Sequence, residues 1–295
     1  MIPLISTLCK GPLGVAQLPR FWWKNILHHT GLLDPAYPHC SGGLDLFVLQ
    51  TLKLDREKTL EYLRRERPAY LRFEDWVLDQ CGGSLHQPTI ERWNKTLEQR
   101  THVAPDKIRE TYTDIGLDEN ATIASAVLLN CLQDWQLFHR SDLTGKNSNL
   151  KVPIAPLISS TDQGPLGICQ LPRTWLKTCL KARGLLHPDY PDCAEGSLDQ
   201  RGLRTLGVDQ GKALSYLREK IPTYLEFEDW VRRETGGRID KEAVEEFNRL
   251  LTERQHRPAK IEEIHALLGR PKTWTSGVLL NHLEDWHYAH AAVMS

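Results

Sequence analysis

Apolar residues recur at three- and four-residue spacing through most of the chain, and no stretch alternates with period two for long enough to predict a strand. Val and Ile are sparse in the runs between turn signals. Helix boundaries are marked by punctuation. Pro19 opens FWWKNILHHTG, which closes at Gly31. Residues 44–52 form a second helix. Asp55 caps REKTLEYLRRER, which stops before Pro68. FEDWVLDQCGG ends at the pair Gly82 and Gly83, Pro88 and Pro105 each open a further helix, and Thr122 caps a last one running to His139. The expected fold class is all-α, with six or seven helices in this half.

The same punctuation then returns. GPLGVAQLPRFWWK at 11–24 recurs as GPLGICQLPRTWLK at 164–177, and GLLDPAYPHC at 31–40 as GLLHPDYPDC at 184–193. YLRRERPAYLRFEDWV at 62–77 recurs at 216–231, and LLNCLQDWQLFH at 128–139 recurs at 279–290. The offset stays between 151 and 154 residues, far beyond the 20–50 of a solenoid, so each copy is expected to be a domain. The prediction is two tandem, homologous helical bundles in a pseudo-two-fold relation, over 1–140 and 153–295. The polar, Gly- and Asn-containing segment 141–152 joins them as a linker.

The closing helix of each copy is apolar on both faces, which predicts a central position. One stripe reads Ile123, Val127, Asn130, Asp134, Leu137; the other reads Leu128, Cys131, Leu132, Trp135, Phe138. In the second copy Trp274, Val278, Asn281, Asp285 and Tyr288 fall on the matching stripe. A carboxylate on such a stripe must find a partner or be neutralised. The cations expected to serve Asp134 and Asp285 are Arg20 and Arg173. With Lys24 and Lys177 they stand four residues apart on the first helix of each copy.

Composition narrows the function classes. Lys and Arg number 37 and Asp and Glu 38, so no global field favours nucleic acid or an anionic membrane. No apolar run approaches the length of a transmembrane helix, and MIPLISTLCKGPLG lacks the basic start of a secretory leader. Seven cysteines, an odd number without a CxxC, fit free thiols, and the expected location is the cytoplasm. No Walker loop, dinucleotide fingerprint or GxSxG elbow occurs, so no cofactor is expected.

The duplicated polar set is the candidate site. In the first copy Arg20, Lys24, Asp45, Asn130 and Trp135, with Asp75 nearby in sequence pattern, would hold a ligand, and Asp134 or His139 would act as acid or base. In the second, Arg173, Lys177, Asp199, Asn281 and Trp286 bind, with Asp285 and His290 in the catalytic role. An Arg/Lys pair beside a helix start suits a carboxylate or phosphate, so the expected ligand is a small acidic metabolite, either bound only or bound and transformed. The rival reading is a non-catalytic structural or interaction protein in which the same groups pair with one another. An enclosed cavity lined by Arg20, Asn130 and Asp134 would separate the two. Metal is not expected. Glu284, His287 and His290 share a helical face in the second copy, with Glu262 and His265 upstream, but the first copy has Gln133 and Gln136 instead.

These motifs resemble an uncharacterised bacterial family, a domain of unknown function. Its members carry a Gly-rich start, an LPR motif followed by Lys, a later Leu-Asp pair and, in longer members, a closing Asn-x-x-x-Asp-Trp-x-x-x-His segment. The corresponding residues here are Leu18, Pro19, Arg20, Lys24, Leu44, Asp45, Asn130, Asp134, Trp135 and His139, with a second set at Leu171, Pro172, Arg173, Lys177, Leu198, Asp199, Asn281, Asp285, Trp286 and His290. The family's Asp-Lys ahead of Arg-Ala is not matched, since Trp23-Lys24 and Leu176-Lys177 stand there. The resemblance implies a shared fold and no activity.

Overall fold

Proline and capping side chains set where the helices begin, much as the sequence pattern predicts. The computed structural model describes residues 1–118, 122–146, 148–270 and 273–295, and it is all-helical, with fourteen α-helices and only isolated β-bridges among these residues. The first seven are α1 (Leu18–His29), α2 (Leu44–Thr51), α3 (Arg56–Glu66), α4 (Tyr70–Gln80), α5 (Gln87–Glu98), α6 (Pro105–Ile115) and α7 (Ala126–Phe138), the last continuing into a π-helical turn at His139–Leu143. The next seven are α8 (Leu171–Ala182), α9 (Leu198–Thr205), α10 (Gln210–Lys220), α11 (Tyr224–Glu234), α12 (Lys241–Glu253), α13 (Pro258–Leu268) and α14 (Gly277–Met294). Asp55 and Asp209 accept from the backbone of Lys58 and Lys212 and so cap α3 and α10. One start differs from expectation: α7 begins after Ser125, whose hydroxyl oxygen accepts from the Leu128 N–H, and not at Thr122. No helix among the described residues is long and apolar enough to cross a membrane.

The chain forms two compact units. One comprises Met1–Asp134 together with His282–Ser295, and the other is Trp135–Asn281. The boundary between these units falls inside the closing helices: each of α7 and α14 contributes to both units. Aromatic anchoring accounts for this. In the first unit Trp286 meets Tyr70 edge-on, with ring centroids 4.6 Å apart; in the second, Trp135 meets Tyr224 at 4.7 Å. Segment 141–152 is also not a loose tether. Leu143 and Leu150 are buried and the Arg183 guanidinium donates to the Leu143 carbonyl; Asn147 lies outside the described residues.

Within the first unit α1 packs against α2, α3 and α4; within the second α8 packs against α9, α10 and α11. The first helix, more than the closing one, is thus the axis of each unit. Phe21, Trp22, Trp23, Ile26 and Leu27 are fully enclosed on α1, as are Trp175, Leu176, Cys179 and Leu180 on α8. Burial around most of 18–27 and all of 171–180 means that a charge within these stretches must be answered inside the protein. The segments ahead of α1 and α8 are buried as well, at residues 1–7 and 154–160.

The GPLG motif shapes the approach to each axis. Gly14 N–H donates to the Gly11 carbonyl at 2.9 Å and closes a turn. A Cβ on Gly11 would stand 2.3 Å from the Tyr70 ring and 2.5 Å from the Glu74 carboxylate, so only glycine lets the turn come this close to α4. Gly164 is confined in the same way by Tyr224 and Glu228.

Candidate functional site

Two ion pairs hang from α1. Lys24 Nζ lies 2.5 Å from Asp45 Oδ2, with side chains 6% and 1% exposed. The same carboxylate accepts from Gln17 Nε2 at 2.9 Å and from the Ser41 N–H at 2.8 Å. Burial alone would push the Asp45 carboxyl up, but the Lys24 ammonium and these hydrogen bonds hold it below the usual carboxylate range. One turn earlier, Arg20 NH1 lies 2.7 Å from Asp134 Oδ2 and NH2 donates to Oδ1 at 3.2 Å. Tyr37 donates its hydroxyl proton to the same Oδ1 at 2.6 Å, and its ring lies 5.9 Å from the guanidinium carbon. Arg20 NH1 also donates to the carbonyls of Pro3 and Ile5, tying down the buried leading segment. Burial works against the Arg20 charge, but Asp134 outweighs it and raises the pKa; Tyr37 is held protonated by burial and by that same carboxylate.

The second unit repeats much of this with its own residues. Lys177 Nζ lies 2.6 Å from Asp199 Oδ2, and Asp199 Oδ1 accepts from Gln170 at 2.7 Å and from the Thr174 hydroxyl at 2.8 Å. Arg173 donates to the carbonyls of Pro156 and Ile158 and stands 5.9 Å from the Tyr190 ring centre. Asp285, on α14, is buried in the first unit. Gln17 and Gln170 both hold a left-handed backbone, at φ 71° and 69°, directly before α1 and α8. That conformation costs a non-glycine residue about 1–2 kcal/mol, and it turns each amide toward its aspartate.

The closing segments place their histidines on backbone. His290 Nε2 pairs with the Arg67 carbonyl at 2.9 Å, and His139 Nε2 pairs with that of Ile221 at 2.7 Å. Arg67 and Ile221 are the left-handed C-caps of α3 and α10, at φ 41° and 44°. Each following proline offers its carbonyl to an indole N–H: Pro68 to Trp22 and Pro222 to Trp175, both at 2.8 Å. The histidine and the tryptophan together satisfy helix-end carbonyls that have no partner within the helix. Burial holds the His290 imidazole below its usual pKa, which suits a neutral ring donating from Nε2.

Of the remaining expected residues, Asn281 Oδ1 accepts from His256 Nε2 at 2.8 Å, and Asn130 is half-buried on α7. Trp135 and Trp286 lie in the core. Asp75 points outward, and its neighbour Glu74 is the buried carboxylate of FEDW. Glu74 accepts from the Tyr70 hydroxyl at 2.7 Å and from the Leu13 N–H of the GPLG turn. Glu228 accepts from Tyr224 at 2.5 Å and from Leu166 N–H at 3.1 Å; burial pushes its carboxyl up to about 7. The helical phase of FEDW does not distinguish a buried Glu74 from a buried Asp75 without the position of the turn. Tyr37, Tyr190, Gln17, Gln170 and these two glutamates were not among the expected residues, although they lie within the repeated motifs, and repetition is the signal that could have found them.

Glu284 is buried, His287 is half-buried, and His290 faces backbone. Among the described residues no group of three or more His, Cys, Asp or Glu side chains is arranged to hold a metal ion. No protein-family model matches the chain, and no curated protein or solved structure does either.

Proposed function

We propose that the protein is a non-catalytic binding scaffold made of two copies of one helical unit, in which the duplicated Arg/Lys/Asp sets act as internal braces. The observation that carries this reading is the Arg20–Asp134 pair. Its carboxylate is occupied by Arg20 and Tyr37, and its guanidinium also holds two backbone carbonyls. A general base needs an oxygen free to meet a substrate proton, and an anion-binding arginine needs an open fork. Lys24 is likewise directed to Asp45. The recurrence of the Lys–Asp pair, the arginine-to-carbonyl ties and the histidine caps supports the duplication. A reducing, cytoplasmic setting fits the cysteines, which form no disulfide among the described residues.

Lys24→Met tests the brace directly. The expected result is a loss of about 3–5 kcal/mol in urea unfolding, because Asp45 is left buried without its cation. Succinate, citrate or glycerol phosphate added to the wild-type chain should leave the Arg20 Nε–H resonance unmoved. A loss below about 1 kcal/mol, together with a saturable shift of that resonance, would instead establish an acid-binding pocket at α1.

A further inference from the structure

Away from the braces, the first unit has a surface cleft of about 540 Å³ between the end of α2, the end of α4 and the start of α5. That is within the usual size range for a small organic ligand. Leu52, Leu85 and Ile90 give it apolar walls, and Lys53, Gln80 and His86 are among the polar groups at its edge. Among the described residues no carboxylate lines it.

The second repeat supplies an internal comparison. At the positions 154 residues on, Lys53 is Gly207, Gln80 is Glu234, Ser84 is Arg238 and His86 is Asp240. The second repeat therefore has two carboxylates against one arginine where the first has a lysine and no acid. Lys53 adopts φ 55°, while Gly207 adopts φ 72°, so the first repeat keeps a lysine in a backbone state that glycine fills without strain. Asp240 caps α12 by accepting from the Ala243 N–H at 3.0 Å. His86 makes no such bond at the start of α5 and pairs its imidazole with the Thr89 hydroxyl at 2.8 Å. Each of the changes at Lys53, Gln80 and His86 removes negative charge or adds a donor, and all face one cavity.

We propose that this cleft is a binding site for a small organic anion, a carboxylate or phosphate monoester with a short apolar body. The Lys53 ammonium pairs with the anionic head beside the uncapped start of α5. The body lies against Leu52, Leu85 and Ile90. The site lies apart from the braces and stands whether or not they are purely structural.

The test uses the full chain, with methyl NMR of Leu52, Leu85 and Ile90 as the readout. Hexanoate and phenyl phosphate are titrated separately, with hexylamine and hexanamide as cationic and neutral controls. Saturable shifts with at least one anion, and none with the controls, are expected; the two anions distinguish a carboxylate site from a phosphate site. Lys53→Gly and His86→Asp install the second repeat's own residues, so both variants should fold, and each should weaken anion binding at least tenfold. No saturable anion binding, an affinity within twofold of wild type in both variants, or hexylamine binding as tightly as hexanoate would overturn the proposal.

Discussion

Replacing Asp134 by asparagine keeps the side chain's shape and removes its charge. Asparagine Oδ1 can still accept from Tyr37, whose hydroxyl now stands 2.6 Å from the carboxylate. What is lost is the contact of Arg20 NH1 with Oδ2 at 2.7 Å, where an amide NH₂ would turn donors toward a donor. The pair is shielded, with side chains 12% and 9% exposed. Breaking such a pair from one side costs about 3–5 kcal/mol. Arg20 keeps the carbonyls of Pro3 and Ile5, so the lower end, about 3 kcal/mol, is expected here. Tyr37→Phe removes one neutral donor from the same carboxylate and should cost about 1 kcal/mol. The double variant should be non-additive by about 0.5–3 kcal/mol, because both substitutions act on one network. Urea unfolding followed by far-ultraviolet circular dichroism at pH 7 measures all three. Raising salt should barely change the Asp134→Asn penalty, since a buried pair is poorly screened. A penalty below about 1 kcal/mol, or one that salt abolishes, would mean that the pair is solvated and that the brace reading is wrong.

Glu228 should make stability depend on pH. Its folded pKa of about 7 lies above the ordinary 4.5, so its contribution is full below about pH 4.5 and declines as pH rises through 7. Comparing Glu228→Gln with wild type in urea at pH 4.5 and pH 8 should show the variant gaining by roughly 3 kcal/mol over that interval; parallel profiles would contradict the burial argument. Gly164→Ala places a methyl 2.2 Å from Glu228 and 2.3 Å from the Tyr224 hydroxyl. A drop in unfolding free energy of more than about 2 kcal/mol is expected from this overpacking, and an unchanged midpoint would show that the turn can retreat. Residues 1–152 and 153–295, produced separately, should each melt with poor cooperativity, because the first unit draws on 282–295 and the second on residues from 135 onward. Mixing them should restore a cooperative transition; two halves that melt sharply alone would contradict the unit composition.

Much of the architecture was legible because helix boundaries are local. Pro19, Asp55, Pro88 and Pro105 act on the first turn that follows each of them, and α1, α3, α5 and α6 start where these residues indicate. The Arg20–Asp134 pairing was legible for a related reason: a carboxylate on an apolar stripe had few cations to choose from. The composition of the units was not legible. A repeat in sequence shows where a motif is copied, but not which copy's tryptophan fills which pocket, and that selection rests on the packing of Trp135 on Tyr224 and of Trp286 on Tyr70. The partners of the histidines were not legible either. His139 and His290 resemble acid/base groups in sequence, and in the structure each meets the carbonyl of a left-handed cap. Left-handed conformations at Arg67 and Ile221 have no glycine or asparagine to announce them.

The division of the closing helices also sets an order of events during synthesis. Trp135–Asn281 is continuous in the chain, so a ribosome that has released residue 281 has delivered every residue of that unit. The other unit begins to emerge first and is completed last. From Met1 to Asp134 it must wait through the whole of its neighbour's synthesis for Trp286 to reach Tyr70 and for His290 to reach the Arg67 carbonyl. At about 5–20 residues per second the 147 intervening residues take roughly 7–30 seconds, far longer than a helical domain needs to collapse. During that interval Tyr70 lacks Trp286 and the Arg67 carbonyl lacks His290. Nascent-chain folding should therefore run against the direction of translation, with the later-made unit closing first and chaperone occupancy concentrated on the earlier one.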